Sequence, residues 1–171
     1  MSRSSVAELC RAAVVRADGE YRLVVKQAVP ADTHLFTLEG ELSTTPTRYT
    51  VQLDQFSHID LPAGCRMEEV LDNYFWRFMN HGCAPNSVIR GREVYSLTPI
   101  PAWSQVTFHY ATTEYEMAEP FECQCGGPGC EGVIRGFRYL SPEGRERLRP
   151  LLSDYLVAVL DGRLPEPEAA R

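Results

Sequence analysis

The sequence predicts a mainly β domain made of several small sheets, with two helices. Short runs rich in β-branched and aromatic residues fill the first two-thirds of the chain, and turn residues separate them at short intervals. Only two segments carry apolar residues at helical spacing. The length of 171 residues, with 44% hydrophobic and 23% charged residues, is ordinary for one globular domain with its own core. This composition excludes a disordered or fibrous chain.

Six runs predict strands. The first two flank Asp18-Gly19, a dipeptide that strongly favours a hairpin turn. The run at 48–53 alternates apolar and polar residues at a period of two. In chain order the predicted strands are 13–15, 21–25, 35–38, 48–53, 93–97 and 105–110.

Two segments predict helices, the first over 68–79 with Gly82 as a stop. The second begins at Ser141, a good N-cap, and ends at Gly162. Its apolar stripe has two uses: packing on its own domain, which is favoured, or forming a homodimer through this C-terminal helix. The stripe consists of Leu148, Leu151, Leu152, Tyr155, Leu156, Val159 and Leu160.

The charge balance bears on partners and location. Lys plus Arg number 17 and Asp plus Glu number 23, so the net charge of −6 lacks the basic footprint of a nucleic-acid binder. A Lys- or Arg-rich partner or a cationic ligand suits it better. No apolar run approaches the length of about 18 residues typical of a membrane span. The N-terminal residues lead into no apolar signal core, so a cytoplasmic location is expected.

Three of the six cysteines fall within eight residues, in a glycine-rich C-x-C-x4-C pattern that favours zinc over packing in a core. Zinc prefers four ligands, and Cys83 is the best fourth candidate because it lies in a polar, turn-like segment. Cys10 and Cys65 have no such setting. The alternative is a loop with free thiols. The clustered cysteines are Cys123, Cys125 and Cys130.

Two further segments are unremarkable when each is taken alone. Residues 77–86 fit a polar helix cap followed by a turn, and Tyr110 fits a half-buried aromatic at a strand end. The acidic residues that follow fit a solvated face, and they are also candidates to receive a basic peptide. These are Glu114, Glu116, Glu119 and Glu122, of which the first three are the peptide candidates.

In combination these segments resemble a known family. Residues 77–86, Arg-Phe-Met-Asn-His-Gly-Cys-Ala-Pro-Asn, resemble the R-F-x-N-H-S-C-x-P-N signature of SET-domain protein lysine methyltransferases. Residues 106–110 resemble that family's E-L-T-F-D-Y strand, and the three clustered cysteines resemble its post-SET zinc cluster. Residues 132–140 resemble the tail of small microbial members. The resemblance covers about 10–140.

The resemblance implies a fold of several small curved β-sheets with a knot-like crossing near Asn80 and short helices. It divides the matching part of the chain into a SET domain at 10–120 and a post-SET zinc-binding segment at 121–140. The sequence pattern adds the C-terminal amphipathic helix at 141–162 and a flexible tail at 163–171.

The resemblance also implies the roles of individual residues. Asn80 would bind S-adenosylmethionine near its amino-acid end, and His81 would lie near its adenine. Tyr110 would be the catalytic tyrosine. Cys83 would complete the zinc site with the three clustered cysteines. Further cofactor-binding residues would be Tyr21, Arg77 and Phe78.

Several positions depart from the family pattern. Residues 19–23 lack the second glycine of the early G-x-G strand, Gly82 replaces a serine, and 103–105 stand where G-E-E is typical. His109 replaces an aspartate, and it either faces solvent on the far side of the strand or retunes the site for another substrate.

The implied activity is methylation of a lysine side chain on a protein. The departures keep two alternatives open. One is an enzyme acting on a small amine, or on S-adenosylmethionine itself, in a specialised pathway. The other is a non-catalytic binding module that uses the same fold.

Overall fold

The structure is a computed structural model that describes residues 11–168. Its strands form five sheets of two or three strands each, and its three α-helices are short. The strands are β1 (Ala12–Ala17), β2 (Glu20–Val25), β3 (His34–Thr37), β4 (Glu41–Ser43), β5 (Val51–Gln52), β6 (His58–Asp60), β7 (Asn80–His81), β8 (Ser87–Arg90), β9 (Glu93–Ser96), β10 (Thr107–Phe108), β11 (Phe121–Glu122) and β12 (Val133–Ile134). The helices are α1 (Met67–Asn73), α2 (Pro142–Leu148) and α3 (Asp154–Leu160).

The predicted hairpin is confirmed by the antiparallel pairing of β1 with β2. Asp18 and Gly19 both adopt positive φ, at 52° and 83°, as the two central residues of a type I′ hairpin turn require. Predicted strands at 48–53 and 105–110 are shorter than expected, because only two residues of each keep ladder hydrogen bonds.

The main core lies between the hairpin and two three-stranded antiparallel sheets, β3-β9-β8 and β4-β6-β5. Leu23, Leu38, Ile59 and Val94 are fully buried there. Trp76 is buried beside them and satisfies its indole N–H by donating to the Glu39 carbonyl at 2.8 Å.

The first predicted helix is real but stops early. α1 ends at Asn73, where Tyr74 leaves the helical region with φ −121°, and a 3₁₀ turn then spans Phe75–Phe78. This change of backbone path turns the apolar Phe75 and Trp76 into the main core. It also leads directly into β7.

The continuous helix predicted over 141–162 is wrong, since the segment forms two short helices separated by a 3₁₀ turn at Arg149–Leu151. Pro150 has no backbone N–H and therefore cannot extend the helical ladder. Ser153 starts α3 afresh, because its side chain accepts a hydrogen bond from the Leu156 N–H.

A second, smaller core buries the apolar stripe of α2 and α3 against Tyr115 and Phe137. Leu148, Leu152 and Leu156 are at most 4% exposed. The stripe therefore packs on its own domain, which is the favoured of its two predicted uses. A homodimer through these helices stays a prediction, and burial of the stripe within its own domain does not support it.

One parallel strand pair joins distant parts of the chain. β7 pairs with β10, with Asn80 opposite Thr107 and His81 opposite Phe108. This pairing places residues 80–83 beside 105–110. The knot-like crossing near this pair stays a prediction. No helix among residues 11–168 is long and apolar enough to cross a membrane.

We expect Gly136→Ala to lower the free energy of unfolding by about 2–4 kcal/mol. Gly136 adopts φ +109°, and an added Cβ would lie 2.8 Å from the Tyr115 carbonyl oxygen. The control is Gly91→Ala at φ +62°, where nothing lies within 4 Å of the added atom, with an expected loss of about 1 kcal/mol. Urea unfolding measures both, and equal losses would contradict a close approach at Gly136.

Candidate functional site

The Asn80 side chain connects β2 to the segment before β10. Its Nδ2 atom donates to the Tyr21 carbonyl at 3.2 Å and to Gln105 Oε1 at 2.7 Å. Because a carbonyl oxygen only accepts, these bonds fix which way the amide faces. Within residues 11–168 no hydrogen bond to Asn80 Oδ1 is formed, so this acceptor is available to a ligand.

Asn86 holds β10, the strand that precedes Tyr110, in place, a role that its position in a predicted turn did not reveal. Its Nδ2 atom donates to the Gln105 carbonyl at 2.8 Å, and its Oδ1 atom accepts from the Thr107 N–H at 2.9 Å. The amide thus satisfies both backbone groups, as a neighbouring strand would. Asn86 therefore fixes the register of β10.

Trp103 occupies the position at which the G-E-E sequence has glycine. Its φ of +62° lies in the left-handed region, which a bulky side chain rarely adopts. A hydrogen bond from its N–H to the Val25 carbonyl, at 2.6 Å, holds this conformation. The turn needs glycine-like backbone geometry, and this chain achieves it with a tryptophan whose side chain is exposed.

The His81 imidazole lies between the tyrosine segment and a cysteine. Its Nδ1 atom accepts from the Tyr110 backbone N–H, and its Nε2 atom lies 3.2 Å from Cys83 Sγ. Burial, followed by the proximity of His109, lowers the pKa of His81 to about 4, so the ring is neutral at physiological pH. Since Nδ1 accepts, the single proton is on Nε2 and points to the sulfur.

Tyr110 begins a 3₁₀ turn one residue after the end of β10. Its hydroxyl donates to the Met79 carbonyl at 2.8 Å, and its ring packs near Phe108 and Phe121, with centroids 4.8 and 5.8 Å away. Burial raises the pKa of the phenol well above its usual value, so the hydroxyl stays neutral. Its position is fixed by the residue that precedes Asn80.

The structure brings the four predicted metal ligands together. The sulfur atoms all lie within 4.8 Å of one another, and those of Cys83 and Cys123 are 3.8 Å apart. A tetrahedral ion with metal–sulfur bonds of about 2.3 Å requires sulfur separations of about 3.8 Å. The donor set and spacing therefore fit a metal ion. The remaining ligands are Cys125 and Cys130.

The thiols of this cluster differ in acidity. A hydrogen bond from the Gly127 backbone and the neighbouring Cys123 lower the pKa of the exposed Cys125 thiol to about 6. Burial raises the pKa of Cys83 to about 12, so its ionisation requires a nearby positive charge such as a metal cation.

A second group of metal-ligand types, formed by His81, Cys83 and His109, lies against the first. The proton on His81 Nε2 leaves that nitrogen no lone pair for a metal, and Nδ1 is occupied by the Tyr110 N–H. The four cysteines are therefore the better metal site of the two.

His109 does not face solvent, so the first of the two alternatives given for this residue is wrong. It is 1% exposed, and its ring packs edge-to-face on His81 with centroids 4.7 Å apart. Neither ring nitrogen makes a hydrogen bond within residues 11–168. Nε2 lies 3.3 Å from Glu131 Oε1, which is ionic contact distance outside hydrogen-bond geometry.

Of the other predicted cofactor residues, Tyr21 and Phe78 lie beside Asn80, with ring centroids 5.1 Å apart. Arg77 points elsewhere. Its guanidinium lies 4.1 Å from the Tyr49 ring centroid and 3.8 Å from Asp60. Among residues 11–168, Arg77 therefore contacts Tyr49 and Asp60 rather than the Asn80 group, and its role at a cofactor stays a prediction.

Glu114 cannot receive a basic peptide at the surface, because it is 6% exposed. Its carboxylate accepts from the Gln52 N–H at 2.7 Å and lies 4.0 Å from His58 Nε2. Burial raises the pKa of Glu114 to about 7. Glu116 is already engaged by Arg138 and Tyr139, which leaves Glu119 as the exposed member of the three.

Two surface grooves, of about 370 and 320 Å³, run beside the cysteine loop. Val133, Arg135 and Tyr139 line both of them. Neither groove is lined by Asn80, His81 or Tyr110.

Comparisons with known proteins identify relatives over much of this chain. Histone H3-lysine(4) N-trimethyltransferase ATX1 of Arabidopsis thaliana is 26% identical over 135 residues, which are 74% of this chain and 10% of that protein. Methyltransferase flvH of Aspergillus flavus is 33% identical over 86 residues, 46% of this chain and 48% of that protein. A variant-silencing SET domain-containing protein of Plasmodium falciparum is 36% identical over 62 residues, 32% of this chain and 2% of that protein.

A solved structure has the same fold. It is KRYPTONITE in complex with mCHH DNA, an H3(1–15) peptide and SAH, with a TM-score of 0.55 and 18% identity over 70% of this chain and 28% of that chain. This chain has a SET-domain fold, and its sequence resembles SET-domain proteins. No family model matches it. The chain spans at most about half the length of these relatives.

The buried Glu114 predicts an inverted pH dependence of stability in this SET domain. Its pKa rises from 4.5 to about 7 on folding, so the native state holds a proton that the unfolded state releases. Its contribution to stability is therefore present at low pH and is lost as pH rises through this window. The increase corresponds to roughly 3 kcal/mol.

We expect Glu114→Gln to be more stable than the wild type by up to about 3 kcal/mol at about pH 8, with the difference falling below about 1 kcal/mol near pH 5. Urea unfolding at both pH values measures this. Glu119→Gln, at an exposed site, is the control. A difference that is the same at both pH values would contradict the shift.

Proposed function

We propose that this SET domain is an S-adenosylmethionine-dependent methyltransferase whose acceptor is a lysine side chain of a protein. The observation that carries the proposal is the meeting of Asn80, His81 and Tyr110 at the β7–β10 pair. Two relatives named above are called N-trimethyltransferase and methyltransferase.

The residues around Asn80 have the chemistry for this cofactor. The Asn80 Oδ1 atom, which accepts no hydrogen bond within residues 11–168, suits an ammonium group. The rings of Tyr21, whose carbonyl accepts from Asn80, and of Phe78 offer apolar faces in the same region. Aromatic faces also attract a cation such as a sulfonium. When bound, the cofactor supplies a methyl group on that sulfonium.

The chain's own residues orient the reacting groups and disfavour the charged form of the acceptor amine. The neutral Tyr110 hydroxyl, anchored on the Met79 carbonyl, orients the reacting groups without adding a charge. The acceptor amine must lose its proton, since free lysine has a pKa of about 10.4. The apolar surroundings, including Phe108 and Phe121, disfavour its ammonium form. Alignment of the three reacting atoms removes much of the entropic barrier.

We further propose that the four-cysteine cluster binds zinc. Four thiolates in tetrahedral spacing suit zinc, which here is structural because no ligand position is left open. The ion would join Cys83 to the loop that carries Cys123, Cys125 and Cys130. A cytoplasmic location and independence from nucleic acid stay predictions.

A second candidate function keeps the cofactor and changes the acceptor to a small amine or S-adenosylmethionine itself. Burial of Glu114 and the engagement of Glu116 reduce the acidic surface that a basic peptide would need. The relative from Aspergillus flavus is named as a methyltransferase without a stated acceptor.

We expect Tyr110→Phe to lower methyl transfer at least about 100-fold, because the ring stays but the positioning hydroxyl is lost. Mass spectrometry of reactions with S-adenosylmethionine and a histone H3 peptide measures the methylated product. Tyr95→Phe, on β9, is the control. Full activity of Tyr110→Phe would remove Tyr110 from the mechanism.

The same reaction without peptide separates the acceptors. Product formed only with peptide supports lysine methylation, whereas turnover of the cofactor in its absence supports the small-molecule alternative. No turnover with either, by protein that binds the cofactor, would contradict the enzyme proposal and favour a binding module.

We expect freshly purified protein to contain one zinc ion per chain and Cys125→Ser to contain much less, because a hydroxyl is a far poorer zinc ligand than a thiolate. Plasma emission spectrometry measures the metal. The matched control is Cys65→Ser, outside the cluster. Equal zinc content in Cys125→Ser and the wild type would contradict the site.

A further inference from the structure

Glu131 stands at the meeting point of the cysteine loop, the tyrosine segment and the C-terminal helices. It follows Cys130 directly, and its backbone N–H donates to Cys83 Sγ at 3.5 Å. Its carboxylate lies 3.3 Å from His109 Nε2 and accepts from Arg147 at 2.8 Å. Its side chain is 17% exposed.

Apart from the Glu131 contact, no polar partner among residues 11–168 explains the burial of the His109 side chain. It is 1% exposed, and neither nitrogen makes a hydrogen bond within the described part of the chain. Burial of an imidazole without a polar contact costs free energy. Within residues 11–168, Glu131 is the acidic residue in contact with this ring, and the attraction between a ring N–H and a carboxylate offsets that cost.

The geometry of the backbone connects this pair to the cysteines. The Glu131 N–H reaches the sulfur of Cys83, which comes from the β7 side, while Cys130 is its neighbour in the loop. On the other side, the Cys123 N–H donates to the Gly132 carbonyl at 2.6 Å. A side chain that fixes residue 131 therefore fixes the loop relative to Cys83.

We propose that His109 and Glu131 are a positioning pair that holds the cysteine loop in its metal-binding geometry. The contact between the two side chains holds the cysteine loop against the Tyr110 segment, and Arg147 of α2 binds the Glu131 carboxylate from the other side. Substitution of a group that orients metal ligands without binding the metal typically lowers metal affinity by about 10- to 100-fold. This proposal rests on the proposed zinc site.

The pair also accounts for the departure at residue 109. The family signature has aspartate there, and an aspartate in this chain would face the Glu131 carboxylate at close range. Like charges in a buried site repel strongly. Histidine at 109 and glutamate at 131 are therefore matched to each other.

A mutant cycle tests the pair through zinc affinity, measured by competition with a chromophoric chelator in samples with unchanged circular dichroism. Glu131→Gln in the wild type is expected to weaken zinc binding about tenfold. His109→Asp is expected to weaken it by at least as much, because two carboxylates then meet. In the His109→Asp background, Glu131→Gln should strengthen zinc binding, since it removes the repulsion. This reversal of sign is expected only if the two side chains interact.

The matched control is Glu122→Gln, at an exposed glutamate that also neighbours a cysteine ligand. It is expected to change zinc affinity less than twofold in both backgrounds. Weakening by Glu131→Gln of the same size in both backgrounds would overturn the pair and leave Glu131 a merely structural residue.

Two further outcomes are distinguishable. If His109→Asp does not fold, His109→Gln replaces it, and Glu131→Gln should then lose most of its effect because its partner is gone; an undiminished effect would overturn the pair. Wild-type protein that binds no zinc would overturn the zinc site and the pair's role together, whereas zinc binding with no coupling overturns the pair alone.

Discussion

The parallel pairing of β7 with β10 is the constraint on which the rest of the site depends. It holds together two segments that are more than twenty residues apart in the chain, and it has only two residues on each side. So short a ladder cannot be stable alone. Asn80 and Asn86 reinforce it with side-chain hydrogen bonds to Gln105 and Thr107.

His81 extends this constraint to the cysteines. Its neutral ring accepts from the Tyr110 backbone and donates toward Cys83, so one side chain links the tyrosine to the proposed zinc site. The fused arrangement means that loss of the metal would loosen Cys83 and, through the ring, the tyrosine. The cysteine cluster therefore supports the position of the proposed catalytic tyrosine, in addition to stabilising the fold.

Local sequence signals predicted the pieces of this structure with clear turn or cap chemistry. The Asp18-Gly19 hairpin and the Ser141 cap depend on neighbouring residues only, and both are present. The C-terminal segment is not one continuous helix, because Pro150 lacks a backbone N–H and interrupts the helical ladder even though the apolar spacing continues past it. The burial of His109 and Glu114 could not be read from the sequence, because each is buried by partners far along the chain, Glu131 and Gln52. The proximity of the four cysteines was predictable, because zinc prefers four ligands and the family resemblance also pointed to Cys83 as the fourth.

The most direct test of the central claim is calorimetric titration of zinc-loaded protein with S-adenosylmethionine, for the wild type and Asn80→Ala. Asn73→Ala, at the exposed end of α1, is the control. The account predicts micromolar or tighter binding by the wild type and the control, and binding at least about tenfold weaker by Asn80→Ala. No binding by the wild type at millimolar cofactor, or equal affinity of all three proteins, would contradict a cofactor site at the β7–β10 pair.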